Sequence, residues 1–174
     1  MKVFNLHIFT IGHSNHSINS FITLLKTFGI ECLIDVRSSP YSKFNKPFNK
    51  KDLESSLLSQ NIRYRWMGDL LGGKKENLIS EMGFRRDNEY DNDIEYRKGI
   101  ISLMRLGLQM KVCIMCSEED PRECHRHKII SSTLINRKLD ECNKIDEINV
   151  SHIRADGRIE DAKKIPVHFQ LNLF

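Results

Sequence analysis

The spacing of apolar residues changes along the chain, and each change predicts an element. Residues 6–11, LHIFTI, alternate apolar and polar and stop at Gly12, the period of a strand. Ile18, Phe21, Ile22, Leu25 and Phe28 then recur at helical spacing, with Ser17 placed to cap the helix and Gly29 to stop it. ECLIDV (31–36) is a short apolar run suited to a buried strand. The first 36 residues therefore predict a βαβ unit and a parallel sheet. RSSPYSKFNKPFNK (37–50) reads as a loop, with two Pro among Ser and Asn. Leu53 and Leu57 mark a helix over about 51–60, IRYRWM (62–67) a strand, and residues 68–92 an irregular excursion. Ile94, Ile101, Met104 and Leu108 mark a helix, KVCIMC (111–116) a strand, 122–137 a helix and INVSHI (148–153) a late strand. The tail PVHFQLNLF (166–174) is expected to add an edge strand or lie across the surface. Alternating strands and helices predict an α/β, three-layer, Rossmann-like fold with a mostly parallel sheet.

That pattern carries a positional consequence. The first strand is followed by Gly12, His13 and Ser14, and the second runs into Asp35 and Arg37. KVCIMC delivers Cys116, Ser117 and Glu118, and INVSHI carries His152 at its end. In a parallel sheet the carboxyl ends share one edge, where open α/β folds bind ligands. Four separate segments thus bring polar groups to one expected crevice.

Composition narrows the class. The 174 residues are 40% hydrophobic and 29% charged, which fits a single globular domain spanning 1–174. No apolar run approaches the roughly 20 residues of a membrane span. The start, MKVFNLHIFTIG, alternates like a strand and offers no small-residue cleavage site, so it is read as structure and the location as cytoplasmic. Five cysteines, an odd number without a secretion signal, are expected to be reduced thiols. The net charge of +4 permits an anionic or nucleic-acid partner without requiring one.

One stretch concentrates reactive groups: MCSEEDPRECHRHKI (115–129), with two Cys, two His and two Arg. Cys113-x-x-Cys116 with Cys124-His125 resembles a zinc ligand set on paper. In a strand, however, positions i and i+3 face opposite ways, so Cys113 reads as a small core residue. No metal ligand is assigned on this basis, although Cys116, Cys124 and a histidine remain open as a set of three. Cys116 and Arg122 have thiol-phosphatase spacing, but the intervening SEEDP would set three carboxylates against a phosphate. The composite reading ends a strand at Cys116 and starts a helix near Arg122. Cys124, His125 and Arg126 then lie in its first turn, with the positive end of the dipole toward the crevice. Arg126 would pair with Glu118 or clamp an anion; alternatively the two form a buried ion pair that fixes the turn.

Other positions carry both a functional and a structural meaning. His13 caps the crossover or faces the site. Asp35 and Arg37 alternate on one strand face and either pair with each other or with Arg126, or bind substrate. Ser42 and Tyr41 sit in a Pro-containing loop, where binding residues gather. Tyr64 and Trp66 are core aromatics before they are a stacking platform. Lys74–Lys75 after Gly72–Gly73 is a weak phosphate-loop signal.

The segments TIGHSNHSINSFITLL, GIECLIDVRSSPYSKF, IRYRWMGDLLGG and VCIMCSEEDPRECHRHKI, closed by VSHI, resemble the domain of unknown function 488 family. The resemblance spans residues 9–153 and implies a compact α/β, Rossmann-like domain without an established activity. Its motif positions fall here on Gly12, His13 and Ser14, on Asp35, Arg37, Pro40 and Ser42, on Tyr64, Leu71, Gly72 and Gly73, and on Cys116, Glu118, Cys124, His125, Arg126 and His152. Arg122 is outside the pattern, a further mark against a phosphatase loop.

The leading expectation is an enzyme acting on a small anionic, nucleotide-like substrate. Glu118 would be general base or nucleophile, Cys116 the alternative nucleophile, and His13 or His152 the acid. Ser14, Asp35, Arg37, Ser42, Tyr64, His125 and Arg126 would bind substrate. Two alternatives stand beside it. One is a nucleic-acid-binding module using the basic, aromatic-interleaved segment 37–51. The other is metal-assisted hydrolysis through Cys116, Cys124 and a histidine. Cofactor and oligomeric state are not readable.

Overall fold

A computed structural model of the chain describes residues 5–14, 16–73, 93–136 and 145–167. These build a six-stranded sheet from β1 (Asn5–Gly12), β2 (Cys32–Asp35), β3 (Arg63–Trp66), β4 (Val112–Cys116), β5 (Glu147–Ile153) and β6 (Ile159–Asp161). The order is β3-β2-β4-β1-β5-β6; the first five are parallel, and β6 runs antiparallel to β5. The expected strands are all present, with ends shifted by about one residue.

The sheet is mostly parallel because its central strands are buried on both faces. Every residue of β2 and β4 is buried, which is why VCIMC shows no polar alternation. Side chains leave β4 alternately. Cys113 and Met115 join Phe21, Leu25, Leu53 and Leu57 from α1 (Ile18–Thr27) and α2 (Lys50–Leu58). Val112, Ile114 and Cys116 join Tyr96, Ile100, Leu103, Ile130 and Leu134 from the other side. That side is covered by α4 (Ile94–Gln109) and by a helical run from Arg126 through α5 (Ser132–Asn136); a short α3 (Gly68–Leu71) precedes them. Helices on both faces make the three layers. Cys113 and Cys116 lie on opposite faces, as strand geometry requires.

The α1 caps follow the sequence expectation. The Ser20 amide donates to Ser17 Oγ at 3.1 Å, and Gly29 takes φ +64°, the left-handed turn that ends many helices. Two expectations change. The helix expected over 122–137 is broken into a 3-10 turn (Pro121–Glu123), an extended Cys124, and a π-helical stretch (Arg126–Ser131) leading into α5. Asp120 accepts from the Arg122 amide and Pro121 fixes its own φ, so this turn closes on itself. The Ser131 hydroxyl donates back to the Arg126 carbonyl at 2.7 Å, inside the widened stretch. The second change is β6, which the apolar pattern did not reveal. Its signal was Asp156–Gly157: Gly157 takes φ +82° in the turn from β5 to β6. The excursion expected over 67–93 starts with α3; residues 74–92, including Lys74–Lys75, Cys142, and the tail beyond 167 lie outside the described residues.

Among the described residues, no helix is long and apolar enough to cross a membrane.

Candidate functional site

β4 and β1 are neighbours at the centre of the sheet, and the helices that follow them pack on opposite faces. In open α/β sheets, the point where consecutive helices diverge in this way is where ligands bind, in the crevice beyond the carboxyl ends of the strands. The His13 amide donates to the Cys116 carbonyl at 3.0 Å, and the Ser14 amide to the Ser117 carbonyl at 2.8 Å, so both strand ends are tied together. Gly12 is required there. A Cβ at this position would come within 1.9 Å of the Glu118 carbonyl oxygen, so only glycine lets the loop after β4 cross β1.

That loop assembles one cluster. Cys116 Sγ lies 3.1 Å from Glu118 Oε2 and 3.7 Å from His125 Nδ1, and Cys124 Sγ lies 3.9 Å from the same nitrogen. Both sulfurs and Nδ1 are all within 4.8 Å of one another. The break at Cys124 produces this: an uninterrupted helix would fan residues 124 and 125 apart, whereas the extended Cys124 turns its sulfur to the same point. Both thiols are buried, and Glu118 is exposed, so the cluster has a closed apolar side and an open carboxylate side. Gly73 lies across from His125; a Cβ there would come within 3.1 Å of the ring. His125 Nε2 is buried without a hydrogen-bond partner among the described residues. The two thiols differ. The hydrogen bond to Cys124, then burial, pushes the Cys116 thiol up. Burial opposes charge on Cys124 too, but Cys116, His125 and Arg126 outweigh it and hold Cys124 well below the usual thiol range.

A second group lines the β1–β2 side. Arg37 makes a two-pronged bridge to Asp35 (Nε–Oδ1 2.9 Å, Nη2–Oδ2 2.6 Å) and donates to the Phe48 carbonyl. Tyr64 donates its hydroxyl to Asp35 Oδ2 at 2.7 Å; burial, then Asp35, raise its pKa well above the usual phenol value. Arg37 Nη1 donates to His13 Nε2 at 3.2 Å, so the ring proton sits on Nδ1. The His13 ring stacks on Phe48, and burial followed by Arg37 lowers its pKa to about 4. Asn45 donates to the Ser14 carbonyl at 3.0 Å and fastens the 37–50 loop to the crevice. Ser42 accepts from the Phe44 and Asn45 amides and shapes that loop.

The third group is sealed inside. Arg126 and His152 have no exposed surface. Arg126 Nε donates to Thr10 Oγ1, and its other nitrogens donate to the carbonyls of Glu118 and Glu119. It therefore holds the backbone of the reactive loop; the expected pairing with the Glu118 carboxylate is replaced, because that carboxylate turns outward to Cys116. His152 bridges Thr10 Oγ1 (2.7 Å) and His127 Nδ1 (3.0 Å), and burial, then His127, lower its pKa to about 3. The structure brings together Cys116, Glu118 and His125, and separately His13, Arg37, Asp35 and Tyr64. It keeps His152 and Arg126 beneath them. Asn45 and His127 are absent from the expected site and carry no signal in the sequence; Cys124 stands there only in the alternative ligand set with Cys116 and a histidine.

A mostly parallel α/β sheet with two thiols, an imidazole and a carboxylate converging beyond its central strands is the class of protein that fold and site define. The chain belongs to the family described as Domain of unknown function DUF488, whose family model matches residues 17–133. The matched span holds Asp35, Arg37 and the whole thiol cluster, while His13 and His152 fall outside it. No curated protein and no solved structure matches the chain.

Proposed function

We propose that this chain is a metal-assisted hydrolytic enzyme acting on a small anionic, nucleotide-like substrate at the carboxyl edge of its sheet. The observation that supports this most is the spacing of the Cys116, Cys124 and His125 donor atoms. Thiolate and imidazole ligands of one tetrahedral zinc ion lie about 3.5 Å from each other. The 3.7 and 3.9 Å separations here need only small side-chain adjustments. Three protein ligands leave a fourth position open, the pattern of catalytic rather than structural zinc. A divalent metal there would supply Lewis-acid activation of water or of a substrate oxygen.

The chain's own groups have distinct tasks in this reading. Glu118 stands on the open side and accepts a proton from the attacking water. Arg126 holds the Glu118 and Glu119 carbonyls, so it is a positioning residue. His13 and Arg37 wall the crevice, with Arg37 balanced by Asp35 and His13 neutral at pH 7.

A second reading has its own observation. The Cys116 thiol donates to the Glu118 carboxylate, a thiol beside a base without need of metal. Metal content separates the two. Untagged protein purified without chelator is expected to hold about one zinc per chain, and Cys124→Ser to lose it. Metal-free protein that still turns over, and loses turnover in Cys116→Ser, would sink the metal reading in favour of the thiol one.

A further inference from the structure

The structure places a basic, aromatic segment on the rim of this crevice. From residue 36 to residue 51 the chain has no Asp or Glu, and it carries Lys43, Lys46, Lys50 and Lys51. Among the described residues none of these lysines has an ion-pair partner. The Phe44 ring is 100% exposed and Tyr41 60% exposed, three residues apart. Lys50 Nζ lies 5.1 Å from the centroid of the Trp66 ring.

The segment is held in place from below. The Ser42 amide donates to Asn49 Oδ1 at 2.6 Å, and the Lys50 amide to the Pro40 carbonyl at 3.0 Å. Phe48 is buried against His13, and the Asn45 amide group donates to the Ser14 carbonyl. The two prolines, Pro40 and Pro47, bracket the exposed rings. The rings and ammonium groups are therefore presented on a fixed turn, and ordering them costs little on binding. The same bonds fix the location: the segment touches His13 and Ser14, whose amides are tied to Cys116 and Ser117.

We infer that this rim binds a single-stranded nucleic acid and leads it to the Cys116–Glu118 crevice. Flat aromatic faces accept unpaired bases, and unpaired lysines between them accept phosphates. A duplex keeps its bases stacked inside and offers nothing to Phe44 or Tyr41. The inference rests on the function proposed above for its chemical use and extends the nucleotide-like substrate to one carried on a strand; binding itself stands apart from the metal.

The test is fluorescence anisotropy with a labelled oligothymidylate and an oligouridylate, across a salt series. The protein is expected to bind a single strand with affinity that falls as salt rises. Phe44→Ala is expected to weaken binding about tenfold with unchanged folding, since the ring makes no internal contact area to lose. Lys43→Gln with Lys46→Gln is expected to flatten the salt slope. Equal affinity for a duplex, no effect of Phe44→Ala, or displacement of the oligonucleotide by polyglutamate at equal charge would each overturn the inference. Cys124→Ser keeps the two proposals distinguishable. Metal retained in the wild type with no oligonucleotide binding sinks the rim alone. Oligonucleotide binding by a wild type that carries no metal sinks the metal centre alone, and binding lost together with the metal in Cys124→Ser overturns the rim as a separate binding surface.

Discussion

Two networks of polar side chains meet at the loop after β4 and behave in opposite ways. Thr10, His127, His152 and Arg126 form a network with no access to water, and each of its hydrogen bonds ends on another member or on the backbone. Cys116, Glu118, Cys124 and His125 make longer contacts, of 3.1 to 3.9 Å, and Glu118 is exposed. The first network uses its polar groups to fix a loop. The second keeps donor atoms converging on a point that none of them fills. Residue type does not separate the two, since each has histidine beside a charged or ionisable partner. Exposure and the convergence of donor atoms on one point do.

The sharpest break of this comparison is at Arg126. Arg126→Met leaves the Glu118 and Glu119 carbonyls and Thr10 without their donor inside the protein. The expected cost is about 4 kcal/mol, read from urea unfolding. A loss below about 1 kcal/mol would mean that the inner network does not hold the loop.

Acid is the next largest probe. His152 has its pKa lowered in the folded protein, from 6.5 to about 3, and His13 to about 4. Above the ordinary value both states are neutral and stability is flat. Below it the unfolded chain takes up a proton that the folded chain refuses, so stability falls as pH drops through the window between 6.5 and the folded value. At pH 5 each histidine is expected to cost about 2 kcal/mol relative to pH 7. His152→Asn should flatten the slope of unfolding free energy against pH between 6 and 4 (roughly that window); an unchanged slope would show that His152 is not held neutral.

The smallest stability effect is expected in the outer cluster, where the largest effect on chemistry should fall. Glu118→Gln keeps shape and exposure, so unfolding should move by less than about 0.5 kcal/mol. Metal content should persist, while hydrolysis of whatever substrate is found drops by about a hundredfold or more. Loss of metal in Glu118→Gln would instead make Glu118 a fourth ligand and the centre a closed, structural one.

What was legible in the chain follows from which forces are local. The βαβ start, the buried run VCIMC and the α1 caps rest on periodicity and on single residues such as Ser17 and Gly29, so the α/β class and the strand ends could be read directly. The opposite facing of Cys113 and Cys116 needed only the two-residue period of a strand. The helix expected over 122–137 failed at Cys124, because Asp120 and Pro121 close a separate turn there and because the Arg126 guanidinium pulls the preceding loop onto itself. Strand β6 escaped notice because three residues at an edge carry too little apolar pattern to register.

By itself, then, the sequence determined the layered α/β architecture and the delivery of His13, Arg37, Cys116 and His152 to one edge of the sheet, since both follow from periodicities of two and 3.6 residues. Tertiary structure alone decided which of these face the crevice. Arg126 and His152 went inward because the carbonyls of Glu118 and Glu119 and the hydroxyl of Thr10 needed donors and partners inside the protein. Cys124 joined Cys116 because an extended residue interrupts the helix. Both outcomes depend on contacts between segments more than a hundred residues apart or on the balance of one turn against one helix, and no local pattern encodes them.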